Sequence, residues 1–338
     1  LVPAGTGGYA SDRYYTPGGL LEVSGYLSNT GHTIGEWTAV GGSITLSAPE
    51  VVAQRGSIFN ISGGAVRYQD GWIRQTNLLG SDGRIYDANN APSGLTYVSL
   101  ANGFVVNHQR WNVVEIYLSP FGRGSVRWES GYTIGRDAGR LNLSTPTAVF
   151  EGAILADVID GERQATARSA GVTDGYKLTQ TTVPLAGTLA LGKYTGFGLT
   201  GAYNTNVRFG NVAPIGDGVG ATDALPSNRA GTAYFDAPTL NSFGLGGLNF
   251  ATSNQITVAA PLTLAPGGQI TFAAPSIALN ADVTAHSGSI TLGNIMHAVL
   301  ASGQLEQWWA LTTGSTPASV AIGSGVTVDL SGLWTNAQ

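Results

Sequence analysis

The sequence contains no cysteine and few charged residues. Of its 338 residues, 11% are charged and one is methionine. The lack of cysteine excludes disulfide scaffolds, zinc fingers, thiol catalysis and cysteine-ligated iron–sulfur clusters. The formal net charge is −5, and the arginines do not run together. Because a nucleic-acid interface normally needs a basic face, we expect no nucleic-acid partner.

The chain is nevertheless expected to fold, because 43% of its residues are hydrophobic and the net charge is small. No uncharged apolar run approaches the roughly 20 residues of a membrane-spanning helix. The first ten residues contain no initiating methionine, basic segment or apolar segment of a signal peptide. We therefore expect a mature or excised segment of a longer protein.

Short phrases recur along the chain. GGSITLSAP at 41–49 resembles GGQITFAAP at 267–275, and SGSITL follows at 287–292, so that Gly268 and Gly288 lie 20 residues apart. Apolar and small polar residues alternate within each phrase, which predicts strands, and glycine or Ala-Pro ends each phrase, which predicts turns. A period near 20 residues is typical of solenoids.

The prediction is therefore an all-β protein, a parallel β-helix with irregular lateral excursions. A β-sandwich or barrel is the competing prediction, but it leaves the distant repetition unexplained. The segment 295–311 is predicted to hold a short helix or an irregular loop. The residues predicted to face the core are Ile44, Leu46, Ile58, Ile61, Ile270, Phe272, Ile277, Leu279, Ile290, Leu292, Val326, Val328 and Leu330.

Composition divides the chain into four predicted regions. Residues 1–65 are predicted to form β-helix coils, and 66–139 an excursion rich in aromatic residues and arginine. Residues 140–250 are predicted to form coils with an irregular Gly-, Ala- and Thr-rich insertion. Residues 251–338 are predicted to form coils of low charge, since no basic residue follows Arg229.

Several phrases, in order, resemble the large filamentous-haemagglutinin-like exoproteins of Gram-negative two-partner secretion. They are WTAVGGSITLSAPEVVAQRGSIFNISGG, VRYQDGWIRQTNLLGSDGRIYDA, HQRWNV, WESGYTIGRDAGRLNL, GERQA and VTVDLSGLWTN. The resemblance implies a right-handed β-helical filament that is secreted and located at the cell surface or outside the cell, in association with the Gram-negative outer membrane, and it leaves open whether the protein is tethered or released. The implied role is adhesion, aggregation or biofilm formation.

The same resemblance implies three kinds of partner. They are an outer-membrane transporter of the two-partner type during export, neighbouring coils of a longer parent chain, and a glycan or a host-cell-surface receptor. No secretion domain of the kind that engages the transporter is visible, so we expect an internal segment. No cofactor is expected.

Aromatic residues of the predicted excursion are the candidates for glycan or partner binding, because large rings stack on sugars. Covering the core is the commoner use of such rings. The candidates are Tyr68, Trp72, Trp111, Tyr117, Trp128 and Tyr132.

The alternative function is a β-helical polysaccharide-degrading or glycan-binding module resembling a tailspike. Such hydrolases use two carboxylates as acid and base, and Glu115, Glu129 and Asp137 are the candidates. Ion pairs with neighbouring arginines are the simpler interpretation of these carboxylates. The four histidines are widely spaced, so no metal site is expected.

Overall fold

The computed structural model confirms the all-β prediction. It describes residues 34–74, 76–88, 91–101, 104–111, 113–117, 126–168, 181–196, 198–216, 219–220, 222–299, 306–311 and 318–333, together with 2, 5, 7 and 13. Helical structure within these residues consists of α1 (Ile34–Trp37), a 3₁₀ turn (Gln109–Trp111) and α2 (Ala237–Asn241). In the part of the chain that the structure describes, no helix has the length and hydropathy needed to cross a membrane.

The strands are short and follow one another closely along the chain. In the first part of the chain they are β1 (Ser43–Ser47), β2 (Glu50–Ala53), β3 (Ile58–Asn60), β4 (Ala65–Tyr68), β5 (Gly71–Arg74), β6 (Asn77–Gly80), β7 (Ile85–Asp87), β8 (Tyr97–Leu100), β9 (Phe104–His108), β10 (Val113–Tyr117), β11 (Val126–Glu129), β12 (Tyr132–Gly135), β13 (Arg140–Ser144), β14 (Thr147–Phe150) and β15 (Ala153–Leu155).

The remaining strands are similar in length. They are β16 (Thr188–Leu191), β17 (Lys193–Thr195), β18 (Gly198–Gly201), β19 (Asn206–Gly210), β20 (Thr232–Asp236), β21 (Gly247–Ala251), β22 (Gln255–Val258), β23 (Leu262–Thr263), β24 (Gln269–Ala273), β25 (Ser276–Leu279), β26 (Val283–Thr284), β27 (Ser289–Gly293), β28 (Ile295–Val299), β29 (Glu306–Ala310), β30 (Ser319–Ile322) and β31 (Val328–Asp329).

The chain divides into two compact units. The first, called the hairpin unit, comprises Leu1–Thr33 and Tyr68–Tyr132, and the second, called the parallel unit, comprises Ile34–Arg67 and Thr133–Gln338. The chain thus leaves the parallel unit after Arg67 and returns to it at Thr133. Most of residues 1–33, predicted to be coils, lie outside the described residues.

Two large parallel sheets form most of the parallel unit. The first sheet has the strand order β1-β13-β16-β21-β24-β27, and the second has the order β2-β14-β20-β19-β22-β25-β30. Every described pairing within them is parallel and in register. The two phrases at 41–49 and 267–275 supply equivalent strands, because Ile44 and Ile270 occupy the same position in the first sheet.

The strands of these sheets follow one another along the chain in a recurring order. A strand of the first sheet is followed by one of the second and then by a short third strand, as in β13, β14 and β15 or in β24, β25 and β26. The short strands pair as β3-β15 and as β23-β26-β31. One pass differs, because β16 is followed by two strands of the second sheet, β19 and β20, and then by α2. The last residue of α2, Asn241, accepts a hydrogen bond from the backbone of Thr263 in β23. The helix thus takes the place of a third strand.

The hydrophobic core lies among these sheets. Its largest feature is a cluster of four phenylalanine rings, two from each large sheet, whose centroids lie between 5.0 and 6.0 Å apart. The rings belong to Phe209, Phe235, Phe250 and Phe272, and all four side chains are fully buried. Burial of such rings contributes about 2–3 kcal/mol each relative to exposure.

Close backbone contacts between successive passes require glycine. A Cβ atom added at Gly139 would lie 1.7 Å from the carbonyl oxygen of Gly42. That carbonyl accepts a hydrogen bond from the Arg140 amide at 3.0 Å. Only a residue without a side chain fits this approach, which explains part of the high glycine content.

The hairpin unit is antiparallel throughout its described strands. It contains β5 with β11, β9 with β10, and the sheet β7-β6-β8. Ala101 is the only buried hydrophobic residue in the described part of this unit. The hydroxyl of Tyr86 donates a 2.6 Å hydrogen bond to Asp82, and this bond lowers the pKa of that carboxyl.

Three sequence predictions about orientation and local structure are wrong. Ile58 was expected in the core but is 65% exposed, because its neighbour Phe59 pairs with buried Ile154 and faces inward. Val328 pairs with buried Val283 but is itself 38% exposed, since no further strand covers it in the described structure. In the segment 295–311, predicted to hold a short helix or an irregular loop, Ile295–Val299 and Glu306–Ala310 form the antiparallel hairpin of β28 and β29.

Candidate functional site

The parallel unit contains a cleft of about 780 Å³. It lies on the outer face of the first sheet, and we call it the outer cleft. It extends over the five strands from β1 to β24, a distance of about 19 Å at the usual spacing between strands. The core-facing side chains of the same strands point to the opposite face, so the cleft is separate from the core.

The floor of the cleft is built from the outward-facing residues of the first sheet. Because side chains alternate between faces along a strand, each strand contributes two floor positions. One row, in register across the whole sheet, is Thr45, Asn142, Ala190, Asn249, Thr271 and Thr291. The other row is Ser43, Arg140, Thr188, Gly247, Gln269 and Ser289. Hydroxyl and amide groups predominate in both rows.

Asn142 lies at the buried end of this floor. Its amide nitrogen donates to the hydroxyls of Ser43 and Thr45, both at 3.1 Å. The Asn142 side chain is 5% exposed, and its Oδ1 atom has no hydrogen-bond partner. Turning the amide over would exchange the two atoms and leave its nitrogen unpaired instead. One polar atom of this side chain therefore lacks a partner in either orientation.

Tyr194 contributes a second buried polar group to the cleft. Its backbone amide donates to Ser144 Oγ at 3.0 Å, which fixes the residue beside β13. Its hydroxyl is buried without a hydrogen-bond partner. Burial raises the pKa of Tyr194 to about 12, and the charge of Arg140 opposes this shift. The phenol is thus a neutral donor at physiological pH.

Charged groups in the cleft are few. Asp137 forms a two-pronged ion pair with Arg168, in which Arg168 Nη1 lies 2.6 Å from Asp137 Oδ2, and both side chains are buried. Asp137 also accepts the backbone amide of Leu185 at 2.9 Å. No other carboxylate lies among the described residues that line the cleft. This leaves the half-buried Arg140 without a carboxylate partner in the described part of the chain.

Two hairpins form one wall of the cleft. The hairpin of β28 and β29 buries Met296 and Ala298 against Ala251 and Ala273 of the first sheet. His297, on the opposite side of β28, lines the cleft and stacks on Trp308 with the ring centroids 4.5 Å apart. Trp308 is 74% exposed. The hairpin of β17 and β18 places Thr195 and Leu199 on the same wall.

The predicted aromatic residues lie in the hairpin unit, and four of them form two pairs. Trp72 and Trp128 face each other across β5 and β11 with their ring centroids 5.5 Å apart. Tyr68 and Tyr132 stack with their ring centroids 5.0 Å apart. The two tryptophans are largely exposed, so the face that they share is accessible.

The other two aromatic candidates lie on the hairpin of β9 and β10. Trp111 is exposed, and its ring centroid lies 5.7 Å from that of His108. Tyr117 ends β10, where its backbone pairs with Phe104. The aromatic candidates thus occupy separate hairpins of the unit.

The three predicted carboxylates each have a different partner. Glu115 Oε2 lies 3.2 Å from His108 Nε2 across the β9-β10 hairpin. Glu129 Oε2 lies 2.9 Å from Arg127 Nη2 on the same strand. Asp137 is held by Arg168, a partner that the sequence analysis did not name. In the described structure, no group of three or more His, Asp or Glu side chains is arranged to hold a metal ion.

The outer cleft itself was missed by the sequence analysis. The available signal was the central residue of the phrases ITL, LNL, LNF and ITF, which is threonine or asparagine in each. The walls were not foreseeable, because they come from hairpins whose positions depend on contacts far apart in sequence. No family model, curated protein or solved structure matches the chain significantly.

Proposed function

We propose that this chain is a structural and adhesive segment of a large secreted filamentous surface protein, in which the parallel unit is a right-handed parallel β-helix. The recurring order of strands in the two large sheets supports the β-helix, because each pass with one strand in each sheet corresponds to one coil; the pass that contains β19 and β20 departs from this order. The resemblance to filamentous-haemagglutinin-like exoproteins supplies the proposed handedness, outer-membrane export by a two-partner transporter and the location at the cell surface.

The observation that carries this proposal is the exposure of core positions at the ends of the stack. Ile277 and Leu279 of β25 are each 1% exposed, whereas their in-register neighbours in β30, Val320 and Ile322, are 47% and 57% exposed. At the other end, Ile44 of β1 is only half-buried. An open edge with apolar residues is a template for another strand. We infer that neighbouring coils of a longer chain cover these edges.

Self-association of the isolated chain tests the structural half of the proposal. We expect the 338-residue chain to form end-to-end oligomers in analytical ultracentrifugation and rods in negative-stain electron microscopy. The variant Val320→Lys/Ile322→Lys should be mainly monomeric, because lysine blunts an open edge. The matched control Ile85→Lys/Val98→Lys changes two exposed apolar residues of the hairpin unit and should associate like the original chain. A monomeric original chain would overturn the proposed continuation of the stack.

The adhesive half of the proposal rests on the exposed tryptophans of the hairpin unit. Beads coated with the chain should attach to epithelial monolayers or to Gram-negative cells. Attachment should fall several-fold with Trp72→Ala/Trp128→Ala, because this variant removes the paired rings. Leu333→Ala, which changes an exposed apolar residue of the parallel unit, is the control. If uncoated beads attach as well as beads coated with the chain, an adhesive role is contradicted. If the Trp72→Ala/Trp128→Ala variant attaches as well as the Leu333→Ala control, the tryptophan pair does not take part in attachment.

A further inference from the structure

The outer cleft contains two buried polar groups without partners. Buried polar groups in proteins are nearly always hydrogen-bonded, so each exception needs an explanation. Asn142 offers one unpaired amide atom, an acceptor in the orientation described and a donor if the amide is turned over, and Tyr194 offers an unpaired hydroxyl; both side chains line the same cleft. Two unpaired polar groups in one concave surface indicate a ligand whose atoms can both donate and accept hydrogen bonds, as hydroxyl groups do.

Arg140 adds a charge to this pair of groups. It lies two residues before Asn142 on β13, so both side chains are on the outer face, about 7 Å apart along the strand. Asp137, the carboxylate in the described lining of the cleft, is already paired with Arg168. The described lining of the cleft therefore has one uncompensated positive charge beside two unpaired hydrogen-bonding groups.

We propose that the outer cleft binds an acidic oligosaccharide, in which a uronate carboxylate contacts Arg140 and sugar hydroxyls contact Asn142 and Tyr194. A carboxylate fits the guanidinium of arginine in a two-pronged arrangement. A hydroxyl can donate to Asn142 Oδ1, and another oxygen can accept from the phenol of Tyr194.

The rest of the cleft has the chemistry that such a ligand requires. Thr45, Asn249 and Thr271 present uncharged polar groups along the floor, where they can bond successive sugar units. The stacked rings of His297 and Trp308 provide an apolar surface at the wall. Hydrolysis is not part of the proposal, since an acid and base mechanism needs a pair of available carboxylates. The inference does not depend on export or on filament formation.

Binding to defined oligosaccharides tests this inference. The full chain would be applied to an array of galacturonate, glucuronate and mannuronate–guluronate oligomers, with neutral oligomers of the same lengths beside them. We expect binding to at least one acidic series and weaker binding at high salt, because one contact is an ion pair. Isothermal titration then gives the Kd for that oligomer.

Two variants separate the proposed contacts from general damage. Arg140→Gln and Tyr194→Phe should each raise the Kd by about tenfold to a hundredfold. Arg208→Gln changes an exposed arginine on the outer face of the second sheet and should leave the Kd unchanged. Circular dichroism establishes whether each variant folds. If Arg140→Gln does not fold, Tyr194→Phe, which removes only one oxygen atom, still tests the inference.

Three results would overturn the inference. They are the absence of binding to every acidic series, equal binding of neutral and acidic oligomers, and an unchanged Kd in both folded cleft variants. None of these results would affect the self-association expected of the β-helix, so the two proposals fail separately.

Discussion

The two units are built from the same kind of strand but differ in how the strands are covered. In the parallel unit, in-register strands bury large side chains such as Phe209 and Leu141 completely. In the hairpin unit, the largest rings, including Trp72 and Trp111, are mostly exposed. Burial and not strand content therefore determines where stability resides, and the exposed rings are free to serve as contacts.

The largest difference between the units should come from deleting an aromatic ring. Phe209→Ala removes the ring that contacts the other three phenylalanines of the core, so the free energy of unfolding should fall by about 3–5 kcal/mol. Trp72→Ala in the hairpin unit should cost about 1 kcal/mol, since only one aromatic pair is lost. Urea titration followed by circular dichroism measures both values. Similar losses would show that burial does not distinguish the units.

The second comparison concerns ion pairs. Asp137→Asn breaks the buried ion pair between Asp137 and Arg168, and breaking a buried pair costs about 3–5 kcal/mol. Glu129→Gln breaks the pair with Arg127, in which the Arg127 and Glu129 side chains are 43% and 16% exposed. This pair is more exposed than that of Asp137 and Arg168, so the cost should be smaller, about 1 kcal/mol. Thermal unfolding of the two variants under identical conditions checks this order. A larger loss for Glu129→Gln would refute it.

The third comparison uses glycine. Gly139→Ala forces a methyl group against the backbone of Gly42 and should destabilise the parallel unit by about 1–3 kcal/mol. Nothing lies within 4 Å of the Cβ position at Gly71 in the hairpin unit, so Gly71→Ala should change stability by no more than about 0.5 kcal/mol. Denaturant midpoints of the two variants give the difference, and equal midpoints would contradict the close contact.

The smallest expected effect is an alkaline titration. Burial raises the pKa of Tyr194 from 10.0 to about 12, so the folded state retains this proton more tightly than the unfolded state. Stability should therefore be unaffected below pH 10 and should fall as the pH rises from 10 to about 12. Tyr194→Phe should reduce this fall and remove the highest phenol titration in the near-ultraviolet absorbance. An unchanged titration in Tyr194→Phe would contradict the assignment.

The sequence predicted the all-β class because strand alternation is local. It also placed Ile270, Phe272 and Ile277 in the core correctly, since each belongs to a regular phrase. Ile58 was wrongly predicted to face the core. A corner between strands shifts the alternation of inward-facing and outward-facing residues, and the local sequence pattern does not show this shift. The repeat was visible, but the pairing of β19 between β20 and β22 was not.

The candidate site was harder to predict than the fold. The alternation shows that Thr45 and Asn142 face outward, but they are 97 residues apart, and their contact depends on the register of the whole sheet. The aromatic residues singled out by composition lie in the hairpin unit. The outer cleft instead combines small polar residues that are unremarkable in sequence, together with a hairpin that was not predicted.

Disulfide trapping tests the in-register stacking of the parallel unit most directly, because the chain has no cysteine of its own. Ala278 pairs with Ala321, whereas Ser319 pairs with Ser276. In register, the Cα atoms of 278 and 321 lie about 4.8 Å apart and those of 278 and 319 about 8 Å apart, and only the first distance permits a disulfide.

The measurement is the fraction of cross-linked chain after mild oxidation, determined by mass spectrometry of proteolytic fragments. The account predicts efficient cross-linking of Ala278→Cys/Ala321→Cys and little cross-linking of Ala278→Cys/Ser319→Cys. Equal cross-linking of the two variants, or preference for the second, would contradict the stacking on which the proposed β-helix depends.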